Sequence, residues 1–125
     1  MLYFDHCAST PPREEVIQTL AEVMRIHYAN PSSIHQAGAD AGQLIERSRG
    51  LIAKLFHTKP EEWIFTSGGT ESNNLAIRGV AKQFAGRGKH LITTAVEHAS
   101  VYETFQQLER EGYSVTYLPV DERGI

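Results

Sequence analysis

The feature that most constrains the fold is an alternation of short apolar runs and helical patterns in the second half of the chain. The runs are rich in residues that favour strands, and the segments between them carry apolar residues at three- and four-residue intervals. The succession predicts strands at 63–66, 90–95 and 114–118 and helices near 71–84 and 101–111. Since parallel strands need a long crossover, this β-α-β-α-β order predicts an α/β fold with a mostly parallel sheet.

The first half of the chain is predicted to be helical after a short extended segment at 2–4. Pro11 and Pro12 lead into a first helix, which Asn30 and Pro31 are expected to stop. A second helix is predicted near 37–56, with Gly38, Gly42 and Gly50 weakening it locally. The last predicted strand is followed by no covering helix, so we expect the 125 residues to be a truncated part of a larger domain.

Composition argues against several classes of partner. The 12 basic and 15 acidic residues are scattered and give a net charge of −3, so nucleic acid is not an expected partner. No apolar stretch approaches the length of a membrane span, so no membrane partner is expected. The start of the chain has an acidic residue, Asp5, where a secretory signal needs basic and then apolar residues, which favours a cytoplasmic location.

Cysteine and histidine usage predicts no metal site. Cys7 is the only cysteine, which excludes an internal disulfide and a cysteine-rich zinc site. The six histidines show neither an HExxH motif nor a paired-ligand spacing, as expected for scattered surface imidazoles.

The most informative segment is the glycine-containing stretch at 66–74, where the first predicted strand turns into its helix. Gly68 and Gly69 would let the backbone approach a ligand and take positive φ, and free amides at the helix start would face an anion such as phosphate. Ser67, Thr70 and Ser72 could add hydroxyl donors, and Thr70 could cap the helix. The alternative is a capped glycine turn without a ligand. Neither the GxxxxGK[ST] nor the GxGxxG nucleotide motif is present.

Four ordered segments of the chain resemble one family. The sequence SGGTESNNLAIRG at 67–79 looks like the phosphate-binding turn and following helix of the cysteine desulfurases, a class V aminotransferase branch of the fold-type I pyridoxal-phosphate enzymes. Residues 3–11 resemble the family's opening stretch, 28–35 its substrate-side loop and 96–101 its cofactor-stacking segment. The resemblance covers all 125 residues and implies the first part of that fold, with N-terminal helices followed by the start of the sheet and its covering helices.

The resemblance assigns roles to three residues of the cofactor site. Gly69 and Thr70 would bind the phosphate of pyridoxal 5'-phosphate, and His98 would stack on the pyridine ring and act catalytically in proton transfer. His98 follows the second strand of the alternating region, and open α/β sheets bind ligands beyond the carboxyl ends of their strands. Without the resemblance, a histidine at this place would be interpreted as a local hydrogen-bonding or capping residue.

Other residues in the matching segments have less specific roles. Cys7 lies in the opening segment and is not the family's sulfur-accepting cysteine, so a packing role or a small side chain near the substrate is expected. Asn30, Ser32 and His35 could shape the substrate entrance. A helix stop at Asn30 followed by helix-starting serines explains them nearly as well.

The function implied by the resemblance is that of a complete protein that converts L-cysteine to L-alanine and keeps the sulfur as an enzyme persulfide. The sulfur would pass to a scaffold or acceptor protein for iron–sulfur cluster assembly or tRNA thiolation, and the enzyme would be a homodimer. Residues 1–15 would belong to the small domain and 16–125 to the first part of the large cofactor-binding domain. None of the lysines follows the family's Ser-x-His context, so the 125 residues alone are expected to be inactive; they are Lys54, Lys59, Lys82 and Lys89.

Two alternatives remain open at this stage. One is a sister pyridoxal-phosphate enzyme, such as a selenocysteine lyase or a small-substrate aminotransferase. The other is a non-catalytic α/β module that binds a phosphorylated ligand or a partner protein, which the glycine turn without a catalytic lysine would permit.

Overall fold

The computed structural model describes residues 2–125, which form two compact units that meet in sequence between Ile64 and Phe65. The first unit contains helices α1 (Glu14–Ile26) and α2 (Gln36–Leu55) and a 3₁₀ turn at Pro60–Glu62. The second contains helix α3 (Gly69–Gln83), strand β1 (His90–Thr94), helix α4 (Ala99–Arg110) and strand β2 (Ser114–Leu118). The assignment of 1–15 and 16–125 to a small and a large domain stays a prediction.

Helix α1 shows the predicted apolar periodicity but contributes nothing to a core. It ends at Ile26, four residues before Asn30, so Asn30 and Pro31 are not what stops it. None of its residues is buried, and apolar side chains such as Leu20 and Met24 remain more than half exposed. None of the helices within 2–125 combines the length and the apolar content needed to cross a membrane.

A close approach of the preceding loop fixes the start of helix α2. His35 caps the helix, and its Nδ1 accepts a hydrogen bond from the Gly38 amide at 3.2 Å. A Cβ added at Gly38 would lie 2.4 Å from the Ser33 carbonyl oxygen and 2.9 Å from that of Asn30. Gly38 therefore does more than weaken the helix, because only a residue without a side chain lets the loop pack there.

The second unit is a β1–α4–β2 crossover with α3 packed against α4. The strands are parallel, with His90 opposite Ser114 and Thr94 opposite Leu118. Helix α4 contacts both strands, and Leu108, on this helix, is fully buried. This unit confirms the two later strands and both helices expected from the sequence, although each helix begins two residues earlier than predicted.

The strand predicted at 63–66 is wrong. Trp63 has an extended backbone, but residues 63–66 carry no strand assignment. Within residues 2–125 the sheet has two strands, so this segment has no ladder partner there. Apolar, extended residues are not sufficient for a strand, because a strand is defined by hydrogen bonds to a neighbour. Ile64 is accordingly 68% exposed.

Candidate functional site

The two glycines before helix α3 leave open space beside the backbone. Gly68 is the N-cap residue with an extended φ of 164°, and Gly69 is the first helical residue. The positive φ predicted for this pair is therefore wrong, since neither residue lies in the left-handed region. A Cβ added at either position would meet no atom within 4 Å. The absent side chains thus leave an approach to the amides clear for a ligand.

Only one of the three hydroxyls predicted to serve as donors is available. The Ser67 hydroxyl is bound to Glu71 Oε2 at 2.7 Å, and the Ser72 hydroxyl pairs with that of Thr66 at 2.7 Å. The Thr70 hydroxyl has no hydrogen-bond partner in the part of the chain that the structure describes. Thr70 is the second residue of α3 and not its cap, because the helix begins one residue earlier.

The backbone amides at this helix start are also available. At the start of α3, backbone hydrogen bonding begins with the Ser72 N–H, which donates to the Gly68 carbonyl at 3.1 Å. The amides of residues 68–71 have no acceptor within 2–125. Unsatisfied amides at a helix N-terminus and the helix dipole together favour an anion. The Thr70 hydroxyl lies among them, so the turn offers a cluster of donors suited to phosphate.

Glu71 stabilises the turn by accepting hydrogen bonds from Ser67. Its Oε2 accepts a second hydrogen bond from the Ser67 backbone N–H at 2.7 Å. The bond from the Ser67 backbone, followed by that from the Ser67 hydroxyl, lowers the pKa of Glu71 below its ordinary value. Glu71 is therefore ionised at neutral pH, and its negative charge is engaged with Ser67.

His98 is the N-cap of helix α4 and lies four residues beyond the end of strand β1. Its Nδ1 accepts a hydrogen bond from the Ser100 amide at 3.1 Å and lies 2.9 Å from the Ser100 hydroxyl oxygen. Its side chain is exposed, and Nε2 has no partner among the described residues. The capping role anticipated as the alternative is therefore present. It involves only one ring nitrogen and leaves the other accessible.

Two asparagines near the start of α3 connect this helix to α4, and one of them reaches the His98 cap. Asn73 Nδ2 donates to the Ser100 hydroxyl oxygen at 2.8 Å. Asn74 Nδ2 donates to the Thr70 carbonyl at 3.0 Å, and its Oδ1 lies 2.9 Å from the Thr104 hydroxyl. The three predicted site residues, Gly69, Thr70 and His98, thus lie in one unit and are linked by side chains of α3 and α4.

Sequence reasoning missed these linking residues. Asn73 and Asn74 were part of the matching segment but received no role, and Ser100 and Thr104 are buried polar residues on α4. The available signal was the pair of adjacent asparagines in an early turn of a helix. Asparagine is a poor helix former, so its use there suggests a hydrogen-bonding role.

The other residues singled out in the sequence lie in the first unit. Cys7 is exposed and makes no disulfide. Asn30 accepts the Ser32 amide through Oδ1 at 2.9 Å, and His35 caps α2. The local interpretation is wrong in both parts, because α1 ends before Asn30 and the residue that starts α2 is His35 and not a serine. Within residues 2–125 no group of histidine, cysteine or acidic side chains could hold a metal.

The donor set fits the phosphate of pyridoxal phosphate. Open space at Gly68 and Gly69, free amides at 68–71 and the free Thr70 hydroxyl would hold the phosphate. The exposed imidazole of His98 is flat and can cover one face of an aromatic ring.

Comparison with known proteins assigns the chain to a family. Residues 2–125 match the family described as Aminotransferase class-V. The chain is 48% identical over 123 residues to Cysteine desulfurase IscS of Dictyoglomus turgidum, covering 98% of this chain and 31% of that protein. It is 40% identical over 124 residues to Cysteine desulfurase IscS 1 of Archaeoglobus fulgidus, covering 99% of this chain and 32% of that protein.

Solved structures agree with the sequence matches. The structure named "SspA in complex with cysteine" has a TM-score of 0.83 and 40% identity, covering 93% of this chain and 33% of that one. A structure named "NIFS-LIKE PROTEIN" also has a TM-score of 0.83, with 38% identity over 93% of this chain and 32% of that one. The fold class predicted from the sequence is confirmed.

The chain therefore belongs to the class-V aminotransferase family. Within that family it is similar, over nearly its whole length, to proteins named cysteine desulfurase, and it spans about a third of the length of the curated relatives it matches.

Proposed function

We propose that this chain is the part of a pyridoxal-phosphate-dependent cysteine desulfurase that binds the cofactor phosphate and supplies the histidine facing the cofactor ring. The observation that carries the proposal is the cluster of unpartnered donors at the start of α3, comprising the amides of 68–71 and the Thr70 hydroxyl. Gly69 and Thr70 bind the phosphate. His98, linked to the same helix through Ser100 and Asn73, contacts the ring.

The bound cofactor would supply an electron sink for the substrate amino acid. The residues of this chain fix the cofactor at its phosphate end, and the imidazole of His98 offers Nε2 for proton transfer. L-cysteine is the proposed substrate, supported by the names of the relatives and by the neighbour whose name records bound cysteine. Alanine and an enzyme persulfide are the proposed products.

The remaining properties of the complete enzyme follow from the same proposal. It is a homodimer in the cytoplasm and passes its sulfur to an acceptor or scaffold protein. The Ser-x-His-Lys segment, which is absent from the 125 residues, lies elsewhere in the complete polypeptide.

Thr70→Val in the full-length protein tests the phosphate site. The substitution keeps the side-chain shape and removes one charge-assisted hydrogen bond, which is worth about 1.5–3 kcal/mol and corresponds to a roughly 10- to 160-fold weaker binding of pyridoxal phosphate. Titration of the apoprotein with the cofactor, followed by fluorescence, measures the change. Alanine release from L-cysteine, measured on the same samples, tests the reaction.

Thr19→Val is the matched control, because the Thr19 hydroxyl lies on exposed α1 and, among the described residues, bonds only the Glu15 carbonyl of its own helix. It should bind the cofactor as the wild type does. Equal affinities of the wild type and Thr70→Val for pyridoxal phosphate would contradict the proposal that this turn binds the cofactor phosphate. Cofactor binding without alanine release from L-cysteine would favour a sister enzyme instead.

A further inference from the structure

The contacts of His98 fix which of its ring nitrogens carries the proton. Nδ1 lies 3.1 Å from the Ser100 backbone nitrogen, and a backbone N–H can only donate. Nδ1 must therefore present its lone pair, so the proton of the neutral ring is on Nε2. The cap of helix α4 thus selects one tautomer of the imidazole.

The Ser100 hydroxyl is oriented to support the same tautomer. Its oxygen lies 2.8 Å from Asn73 Nδ2, an amide nitrogen that can only donate, and 2.9 Å from His98 Nδ1. The oxygen accepts from Asn73, so its own proton is directed at Nδ1. Ser100 is only 7% exposed, which limits competition from water. The resulting chain runs from Asn73 through Ser100 to His98.

We propose that Asn73 and Ser100 are positioning residues that hold His98 in the Nε2–H tautomer, with Nε2 as its accessible proton-bearing atom. Nδ1 receives two hydrogen bonds, whereas Nε2 has no partner within residues 2–125. His98 enters any reaction as a proton donor at Nε2. Only the catalytic consequence rests on the proposed function, because the tautomer is a property of the protein without cofactor.

The test is nitrogen NMR of the full-length apoprotein labelled with ¹⁵N-histidine, with the His98 signals assigned by their loss in His98→Gln. The wild type should show a protonated Nε2 and an unprotonated Nδ1. Ser100→Ala removes one of the two bonds to Nδ1. We expect the ratio of Nε2–H to Nδ1–H forms to fall about fivefold, the effect of one net hydrogen bond.

A second variant probes the chain without changing side-chain size. In Asn73→Asp the carboxylate accepts the Ser100 proton, which is then no longer directed at Nδ1, so the ratio should fall in the same direction. Thr104→Val is the matched control. Its hydroxyl also connects α4 to α3, through Asn74 Oδ1, and bonds the Ser100 carbonyl, but it contacts neither the Ser100 hydroxyl nor His98. It should leave the tautomer ratio unchanged.

The outcomes separate this inference from the proposed function. A wild-type His98 with its proton on Nδ1, or unchanged ratios in both Ser100→Ala and Asn73→Asp, overturns the inference. A shifted ratio in a protein that neither binds pyridoxal phosphate nor releases alanine supports the inference and contradicts the proposed function. In the cofactor-loaded enzyme, Ser100→Ala should lower kcat more than it changes the KM for L-cysteine, as expected for a group that acts through His98.

Discussion

Glu71 decides which donors of the glycine turn remain available. By accepting both the amide and the hydroxyl of Ser67, it withdraws that residue from ligand binding. The amides that follow it and the Thr70 hydroxyl are left as the donors for an anion. A carboxylate in the first turn of a helix is itself stabilised by the helix dipole. The residue therefore shapes the turn without occupying the ligand position.

Glu71 should make the free energy of unfolding depend on pH in the acidic range. Its pKa is lowered in the folded protein, so its contribution is fully present above the ordinary glutamate pKa of about 4.3 and is lost as the pH falls through the lowered value. Glu71→Gln is expected to be less stable than the wild type at about pH 7, with the difference shrinking towards about pH 3. Urea unfolding at both pH values measures this.

Glu103→Gln provides the comparison, since Glu103 is an exposed residue of α4 whose side chain makes no hydrogen bond with the rest of residues 2–125. Its unfolding free energy should follow the wild type at both pH values. An equal deficit of Glu71→Gln at neutral and acidic pH would show that the ionised carboxylate is not the cause.

At the scale of elements, helices α2 and α4 end in the same way with different residues. Tyr113 N–H bonds the Leu108 carbonyl at 3.1 Å past α4, and Thr58 N–H bonds the Ala53 carbonyl at 2.9 Å past α2. Each is the 6→1 hydrogen bond of a Schellman motif, in which the N–H two residues past the helix cap bonds a carbonyl in the last turn. The motif needs a left-handed residue just after the helix cap. That residue is Gly112 at φ +93° after α4 but His57 at φ +54° after α2.

The two helix ends should respond oppositely to substitution. A left-handed conformation costs a residue with a side chain about 1–2 kcal/mol, whereas glycine adopts it at an entropic cost of about 0.5–1 kcal/mol on folding. His57→Gly should therefore raise the free energy of unfolding by about 0.5–1 kcal/mol, and Gly112→Ala should lower it by a similar amount. Chemical denaturation of each variant measures the change.

Gly50→Ala is the control for these two substitutions, because it replaces a glycine that has a helical and not a left-handed conformation. Gly50 lies inside α2, and a Cβ added there meets nothing within 4 Å. Alanine should stabilise the helix by about 0.5–1 kcal/mol. If His57→Gly instead lowers the free energy of unfolding, the His57 imidazole makes a contact that stabilises the protein by more than the left-handed backbone costs.

At the scale of the whole molecule, the interior is small. Apart from Gly38 and three polar residues, the buried positions among those described are three alanines and one leucine: Ala41, Ala53, Ala81 and Leu108. Larger apolar side chains on the helices and on the sheet remain open, such as Leu20 at 59% and Ile92 at 58% exposure. These surfaces are available for burial against further protein, in agreement with relatives about three times as long.

The 125-residue chain given pyridoxal phosphate should form no lasting imine and turn over no L-cysteine. Its four lysines are exposed and lie outside the donor cluster at the start of α3, so no amine is held at the cofactor aldehyde. Absorbance spectroscopy after dialysis measures the imine. A retained yellow band that disappears when one of those lysines is replaced by alanine would contradict the proposal.

Much of the local structure could be predicted from the sequence, because periodicity and turn residues act over short distances. The apolar spacing of α4 and the strand at 114–118 was sufficient to place both elements. The strand at 63–66 could not be predicted correctly, since pairing depends on a neighbour that no local pattern supplies. The sequence predicts only that Gly38 weakens its helix, because the close approach of the 30–33 loop to Gly38 depends on the folded backbone.

The sequence by itself determined the α/β class, the family and the position of the glycine turn, all of which depend on residue order and local propensity. Only the tertiary structure decided that the cap formed by His98 is joined to α3 through Ser100 and Asn73. Hydrogen bonds between α3 and α4 join residues that are 27 and 30 positions apart, and their geometry exists only once the helices pack.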